Sequence, residues 1–366
     1  MTQLFTTSKL IREGGGLPKW LPANNLIVFT EPVNGTYEVF TMTPDGGNVT
    51  CLTCGKKALR NCGHRGQPYW HPSGEYIVFT CQKNQFFGCR IPVLKQWLDK
   101  FSVPGIGFNC DLWVMKSDGS RFWRLTDLST KKSFFDKQPY TGVIHPHFSH
   151  SGKKLLWSER IAKGGKWGEW ALKVADFVVV EGEPRLENIR MYQPGEQHLF
   201  YESHGFSPDD KKIIFSGNLE VGQDENYLDI YTFDLETKEL TRLTHSMSEW
   251  DEHAQYSLSG DKIVWMSSNG YGMNTERNWW KYLKTDYWMM NTDGSGKTQI
   301  TFFNQNLGDS KRIICSDCSW NPDGTKLAVT MLVCDGEKAT GGGIAIIEFL
   351  NKKIWFRFGK KLGKSL

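Results

Sequence analysis

A short phrase recurs along the chain: an aromatic residue, a turn of Pro, Ser, Asn, Asp or Gly, then an apolar run. It reads PKWLPANNLIVFT from Pro18, PYWHPSGEYIVFT from Pro68, PHFSHSGKKLLWS from Pro146, HGFSPDDKKIIFS from His204, AQYSLSGDKIVWM from Ala254 and CSWNPDGTKLAVT from Cys318. A turn between an aromatic-ended strand and a strand such as YIVF or IIF is a hairpin signature, so each copy predicts two antiparallel strands, A and B. Downstream of most copies a second hairpin follows, as in DLWVMKSDGSRFWRLT or DIYTFDLETKELTRLT, and predicts strands C and D. The third copy is the least regular, with ALKVADF as strand C and a longer return through PRLENIRMYQP.

Four antiparallel strands cannot bury both faces alone. Six such units with a common axis bury them by stacking, so the expected fold is all-β, a six-bladed propeller of four-stranded antiparallel blades. It takes the whole chain, residues 1–366, as a single domain, with an inserted helical loop at about residues 82–110. Two segments compete for strand D of the last blade. IWFRF near the C-terminus is expected to supply it, with SKLIREGG of the N-terminal region packing outside.

The phrases FSPDDKKIIF and SWNPDGTKLAV and the turn NTDGSGK resemble the repeats of TolB-like six-bladed propellers. The resemblance covers essentially the whole chain and implies the fold. It says little about activity, because members range from partner-binding proteins to enzyme domains.

Composition agrees with short strands and tight turns, with 13% aromatic residues, 15 Trp and 37 Gly. Lys plus Arg exceed Asp plus Glu by 44 to 40, and no basic stripe tracks a phosphate backbone, so nucleic acid is not expected as a partner. There is no membrane-spanning run and no leader pattern at the start of the chain. Nine cysteines cluster as Cys51, Cys54, Cys62, then Cys81, Cys89, Cys110, then Cys315, Cys318, Cys334. Clustering favours disulfides, Cys89 to Cys110 and one within Cys51, Cys54 and Cys62, and a periplasmic or secreted location. Cys51, Cys54, Cys62 and His64 as a zinc site is the competing reading.

The A–B and C–D turns share one face of the ring, and they are short. On the other face the B–C loops are long: about 28 residues after Thr80, about a dozen after Glu159 and nearly twenty after Ser267, against a usual loop of about 4–6. Binding is therefore expected there. The segment PVLKQWLDKF puts Val93, Leu94, Trp97, Leu98 and Phe101 on one side of a short helix, a lid or a simple cover. Trp167, Trp279, Trp280 and Arg277, with Tyr69 and Gln255, are candidate substrate-binding residues for a small molecule or oligosaccharide.

Aligning the anchors Trp20, Trp70, Phe148, Phe206, Tyr256 and Trp320 puts equivalent positions in register about the axis. Three residues before them stand Leu17, Gln67, His145, Ser203, His253 and Asp317; one residue before, Lys19, Tyr69, His147, Gly205, Gln255 and Ser319. His204 lies between the levels. His145, His253, Gln67 and Asp317 are candidate ligands of a divalent metal, manganese or calcium, and a buried hydrogen-bond network is the other reading. His147, His204, Glu159 and Arg160 are candidate catalytic groups, and Glu202, Asp251 and Glu252 on the D–A links are further acid–base candidates.

The placement of His145 and His253 is similar to that of the metal-binding histidines of oligogalacturonate lyases, which are also propellers. That resemblance implies a divalent ion holding a uronate carboxylate during β-elimination. No nucleophile elbow or phosphate loop is present, so no nucleotide cofactor is expected. Two functions remain in competition: a lyase-type, metal-assisted enzyme, and a non-catalytic propeller presenting the same face to a protein partner. A monomer is expected in either case.

Overall fold

The computed structural model describes residues 6–21, 23, 25–83, 104–128, 141–273, 281–305, 307 and 310–349. The first strand, β1 (Thr6–Glu13), belongs to the last blade. Blade 1 runs β2 (Gly16–Leu21), β3 (Leu26–Val33), β4 (Thr36–Met42), β5 (Thr50–Cys51), and blade 2 runs β6 (Cys62–Trp70), β7 (Tyr76–Lys83), β8 (Cys110–Lys116), β9 (Phe122–Arg124). Blade 3 is β10 (Gly142–Phe148), β11 (Lys154–Ala162), β12 (Glu169–Val180), β13 (Glu183–Tyr192); blade 4 is β14 (Tyr201–Phe206), β15 (Lys212–Gly217), β16 (Asp229–Asp234), β17 (Leu240–Arg242). Blade 5 is β18 (Asp251–Tyr256), β19 (Lys262–Ser267), β20 (Asp286–Asn291), β21 (Thr298–Gln299). Blade 6 joins β22 (Lys311–Trp320), β23 (Lys326–Asp335) and β24 (Lys338–Phe349) to β1. The fold is thus an all-β, six-bladed propeller of antiparallel four-stranded sheets.

Burial explains why the blades form a ring. Each apolar cluster among the described residues spans two neighbouring blades, as where Leu21 and Val28 of blade 1 meet Trp70, Ile77 and Phe79 of blade 2. The same holds around to blades 6 and 1, where Ala328 and Ile344 meet Trp20 and Phe29. Within blades, an acid near the start of strand C ties down strand D. Asp229 accepts from Arg242 and from Thr244 Oγ1 (3.0 Å), and Thr244 in turn accepts from the Ile230 N–H (2.9 Å). Asp111 with Arg124 and Thr126, and Asp286 with Thr301, repeat the arrangement. The recurrent R-L-T and Q-I-T endings are therefore the acid's partners.

Closure differs from the sequence expectation. Strand D of blade 6 is β1, paired antiparallel to β24 from Thr6↔Phe349 to Glu13↔Gly343. Its side chains reach both neighbouring blades: Arg12 forms an ion pair with Glu31 of blade 1 (2.7 Å), and Thr6 Oγ1 donates to the Ile300 carbonyl after blade 5 (3.0 Å). Gly343 makes the close approach sterically feasible, since a Cβ there would stand 1.9 Å from the Arg12 carbonyl oxygen. IWFRF lies outside the described residues, as does the PVLKQWLDKF helix.

Two disulfides are present, Cys51–Cys54 and Cys62–Cys81. They remove the thiolates a zinc site would need, and His64 Nδ1 instead accepts from the Tyr37 N–H (3.1 Å). Cys110 is a buried free thiol, so the expected pairing with Cys89 is not formed at the described end; Cys89 lies outside the described residues. The two disulfides are consistent with an oxidising compartment. Among the described residues no helix is long and apolar enough to cross a membrane.

Candidate functional site

Strand A of every blade carries a β-bulge two to four positions before the anchor, where it has one extra residue relative to strand B, and blade 2 has a second between Cys62 and Arg65. In four blades the residue three before the anchor adopts the left-handed region: Leu17 (φ 57°), Gln67 (51°), His145 (49°) and His253 (56°). Such non-glycine conformations cost about 1–3 kcal/mol each and persist where the surroundings impose them. A bulge re-aims its side chain. Here it brings residues of non-adjacent blades together, with the His145 and His253 rings 5.6 Å apart.

Blade 4 breaks the pattern. Its extra residue falls between Ser203 and Gly205, and Gly205 takes the positive φ (134°). The shift turns Ser203 into the blade interface, where its Oγ donates to the His145 carbonyl (2.8 Å), and leaves Glu202 and His204 on the axial side.

Glu202 therefore stands between the two histidines. Its Oε1 is 3.1 Å from His145 Nε2 and 3.5 Å from His253 Nδ1. One donor atom from each of His145, Glu202 and His253 lies within 4.8 Å of the others. Behind each imidazole is a second carboxylate: Glu252 Oε2 is 3.3 Å from His253 Nε2, and Asp317 Oδ1 is 3.9 Å from His145 Nδ1. Glu252 is itself fixed by the Trp250 indole N–H (2.8 Å), and Asp317 by Lys19 (3.4 Å). Carboxylates behind histidines orient metal-ligating rings in many sites.

The cluster is almost fully buried, and its protonation preferences follow from that. Burial holds His145 down to about 3 and presses His147 and His204 well below the usual imidazole range. Burial, together with the facing Glu252, pushes Glu202 well above the carboxylate range. Burial alone would raise Asp317, but His253 and Lys19 outweigh it and hold it low. Burial thus favours the neutral forms of His145, His147, His204 and Glu202, while Asp317 is held toward its ionised form.

A pH dependence of stability follows. Below about pH 6.5 the unfolded chain protonates three histidines that the folded chain keeps neutral, so stability present above that pH is lost as pH falls. Glu202 and Asp251, the latter raised by burial to about 7, are shifted the other way and offset part of that loss, while His71, also lowered by burial, adds to it. Urea unfolding of chelator-treated protein measures the net fall in stability between about pH 6.5 and 5, and His147→Phe is expected to reduce it.

Over this floor opens a cavity of about 360 Å³ on the face of the B–C loops, walled by Phe108, Trp167, Trp170, Phe200 and Trp250. No family model matches the chain. Dipeptidyl-peptidase 5 of Porphyromonas endodontalis is 23% identical over 248 residues, 64% of this chain, and the chain spans 33% of that relative's length. The putative TolB of Agrobacterium tumefaciens superimposes with a TM-score of 0.55 at 14% identity, over 96% of this chain and 100% of that one. A GH74 enzyme of Niastella koreensis gives 0.50 at 12% identity, over 90% of this chain and 46% of that one. The chain is a six-bladed propeller that resembles the TolB-like propellers.

In this TolB-like propeller the expected site residues divide among several places. His145 and His253 are in the cluster, and Trp167 is in the wall above it. Asp317 backs the histidines. Gln67 does not face the donors: its Oε1 is taken by the His145 backbone N–H (3.1 Å), so it holds the bulge in place. His204 Nε2 contacts Ser216 Oγ (2.6 Å) and the His253 N–H (3.2 Å), which makes it a support for the His253 backbone. His147 packs edge-on against Tyr69, their ring centroids 4.6 Å apart, deeper in the channel.

Tyr69 and Gln255 line a smaller cavity of about 100 Å³ at the opposite mouth, because one residue before the anchor is already past the bulge. Glu159 is engaged by Lys173 (2.6 Å) and Trp157, and Arg160 by the Trp167 carbonyl (3.2 Å), so both are committed to blade 3. Asp251 accepts from the Trp265 indole (3.1 Å) inside blade 5. Arg277, Trp279 and Trp280 lie outside the described residues. Glu202, an acid–base candidate on a D–A link in the sequence, joins the two histidines as the third donor.

Proposed function

We propose that this protein is a ligand-binding propeller whose channel mouth holds a divalent cation on His145, Glu202 and His253, with the bound molecule completing the cation's coordination. The observation that carries this reading is the convergence of the three donor atoms within 4.8 Å, on side chains from blades 3, 4 and 5. Two imidazoles and one carboxylate suit zinc, manganese or iron; calcium takes about 6–8 oxygen ligands, which this donor set does not supply.

Binding without catalysis is the preferred form, since the histidines and acids beside the donors are engaged with one another or with the backbone. One feature supports metal-assisted elimination as a second reading. Glu252 lines the same cavity beside the donors and could take a proton from a carbon acid held there.

Titration of chelator-stripped protein with zinc or manganese tests the reading. One site per chain is expected. Because burial raises Glu202 and a bound cation needs it ionised, affinity should fall as pH is lowered. Absence of saturable binding contradicts the reading.

A further inference from the structure

We propose that the opposite mouth of the channel is a second binding site, which takes a small planar oxyanion on Lys19, Tyr69 and Ser319. This site does not rest on the cation reading above. Its position follows from the repeat: residues one before the anchors stand past the bulges, and five of the six, Lys19, Tyr69, Gly205, Gln255 and Ser319, line one cavity of about 100 Å³. The sixth, His147, packs edge-on against Tyr69 deeper in the channel. It is buried, and neither ring nitrogen makes a hydrogen bond of normal geometry, the approach of the Ser203 carbonyl included. A buried polar group left unmatched points to an occupant nearby.

Blades 6, 1 and 2 are consecutive around the ring, and each brings a donor to the cavity. The Lys19 ammonium meets Asp317 at 3.4 Å and the Cys318 carbonyl at 3.5 Å, both longer than the about 2.7–2.9 Å of a charge-assisted hydrogen bond. Two long contacts leave at least one of its three hydrogens for the cavity. Ser319 Oγ accepts from the Trp20 N–H (2.9 Å), and among the described residues nothing takes the hydroxyl's own hydrogen. Tyr69 brings a phenolic O–H. On the far side Gln255 Nε2 donates to the His204 carbonyl (2.7 Å), which fixes the amide in the wall. An arc of donors calls for a ligand that brings acceptors, and a fixed ammonium disfavours a cation. One ammonium, shared with Asp317, suits a single negative charge better than a phosphate dianion. At about 30 Å³ per liquid water, about 100 Å³ holds roughly three waters or an anion of about three or four heavy atoms, the size of a short carboxylate or nitrate.

Chelator-stripped full-length protein carrying a carbon label at tyrosine Cζ is titrated with formate, nitrate and trimethylammonium at constant ionic strength and followed by NMR. Formate is expected to shift the Tyr69 resonance to saturation, with one site per chain. In Tyr69→Phe, read from the linewidth of labelled formate, affinity should fall at least about tenfold, because one hydrogen bond to a charged group is removed. Lys19→Met should abolish binding. That variant strands the buried Asp317 carboxylate, so Tyr69→Phe alone decides if it does not fold. A preference for formate over nitrate of at least about tenfold identifies an organic carboxylate as the occupant and equal binding an inorganic anion; both support the anion class. A Tyr69 resonance that never moves, leaving water as the sole occupant, overturns the proposal. So does formate binding unchanged in Tyr69→Phe, or a stronger response to trimethylammonium than to formate.

Discussion

Replacing His253 by alanine is expected to empty the cation site and leave the propeller folded. His253 supplies one of three donors, and losing a donor should cost more than the roughly 10- to 100-fold in affinity that loss of an outer partner costs. Asp317→Asn, which removes the carboxylate behind the histidines, should fall in that smaller range. The fold should survive because the apolar clusters that join the blades do not include this side chain. His253→Asn is the stricter control, since asparagine tolerates the positive φ of 56° better than alanine. Retention of metal by both variants, or loss of cooperative unfolding in both, would assign the histidine a structural role.

The second large effect concerns closure. Deleting residues 1–13 removes all of β1, with its pairing to β24, the Arg12–Glu31 ion pair and the Thr6 contact to blade 5. At about 1 kcal/mol per hydrogen bond, the loss is on the order of 5 kcal/mol or more. With about 2–4 °C per kcal/mol for a large domain, Tm should fall by at least about 10 °C. The uncovered edge of β24 carries Ile344, Ile346 and other apolar residues, so aggregation on heating is also expected. A Tm left unchanged by the deletion would contradict the assignment of β1 as strand D of blade 6.

Much of this was legible in the sequence because it rests on repeated local chemistry. The aromatic anchor, turn and apolar run mark strands A and B wherever they occur, and register on the anchor was enough to bring His145 and His253 to one level. Closure was less legible, since SKLIREGG and IWFRF are both strand-like and the choice depends on contacts with blades 1 and 5, which are distant in sequence. Glu202 was legible only as a D–A link acid, because the ring alignment compared positions three and one before each anchor and Glu202 stands four before Phe206, as Glu252 does before Tyr256. Tyr69 and Gln255 were misplaced for a related reason: the alignment gave levels along the axis but not which mouth each level faces. The cysteine clusters were informative only in part: Cys51–Cys54 falls inside the first, whereas Cys62 pairs across clusters with Cys81 on the neighbouring strand, and Cys315, Cys318 and Cys334 are free thiols.

The most direct test of the central claim is anomalous diffraction from crystals of stripped protein reloaded with one equivalent of zinc, recorded on both sides of the zinc edge. The account predicts one peak on the channel axis, about 2.0–2.2 Å from a nitrogen of His145, a nitrogen of His253 and an oxygen of Glu202. A peak elsewhere, or an empty floor in a crystal that retains zinc at other residues, would contradict it.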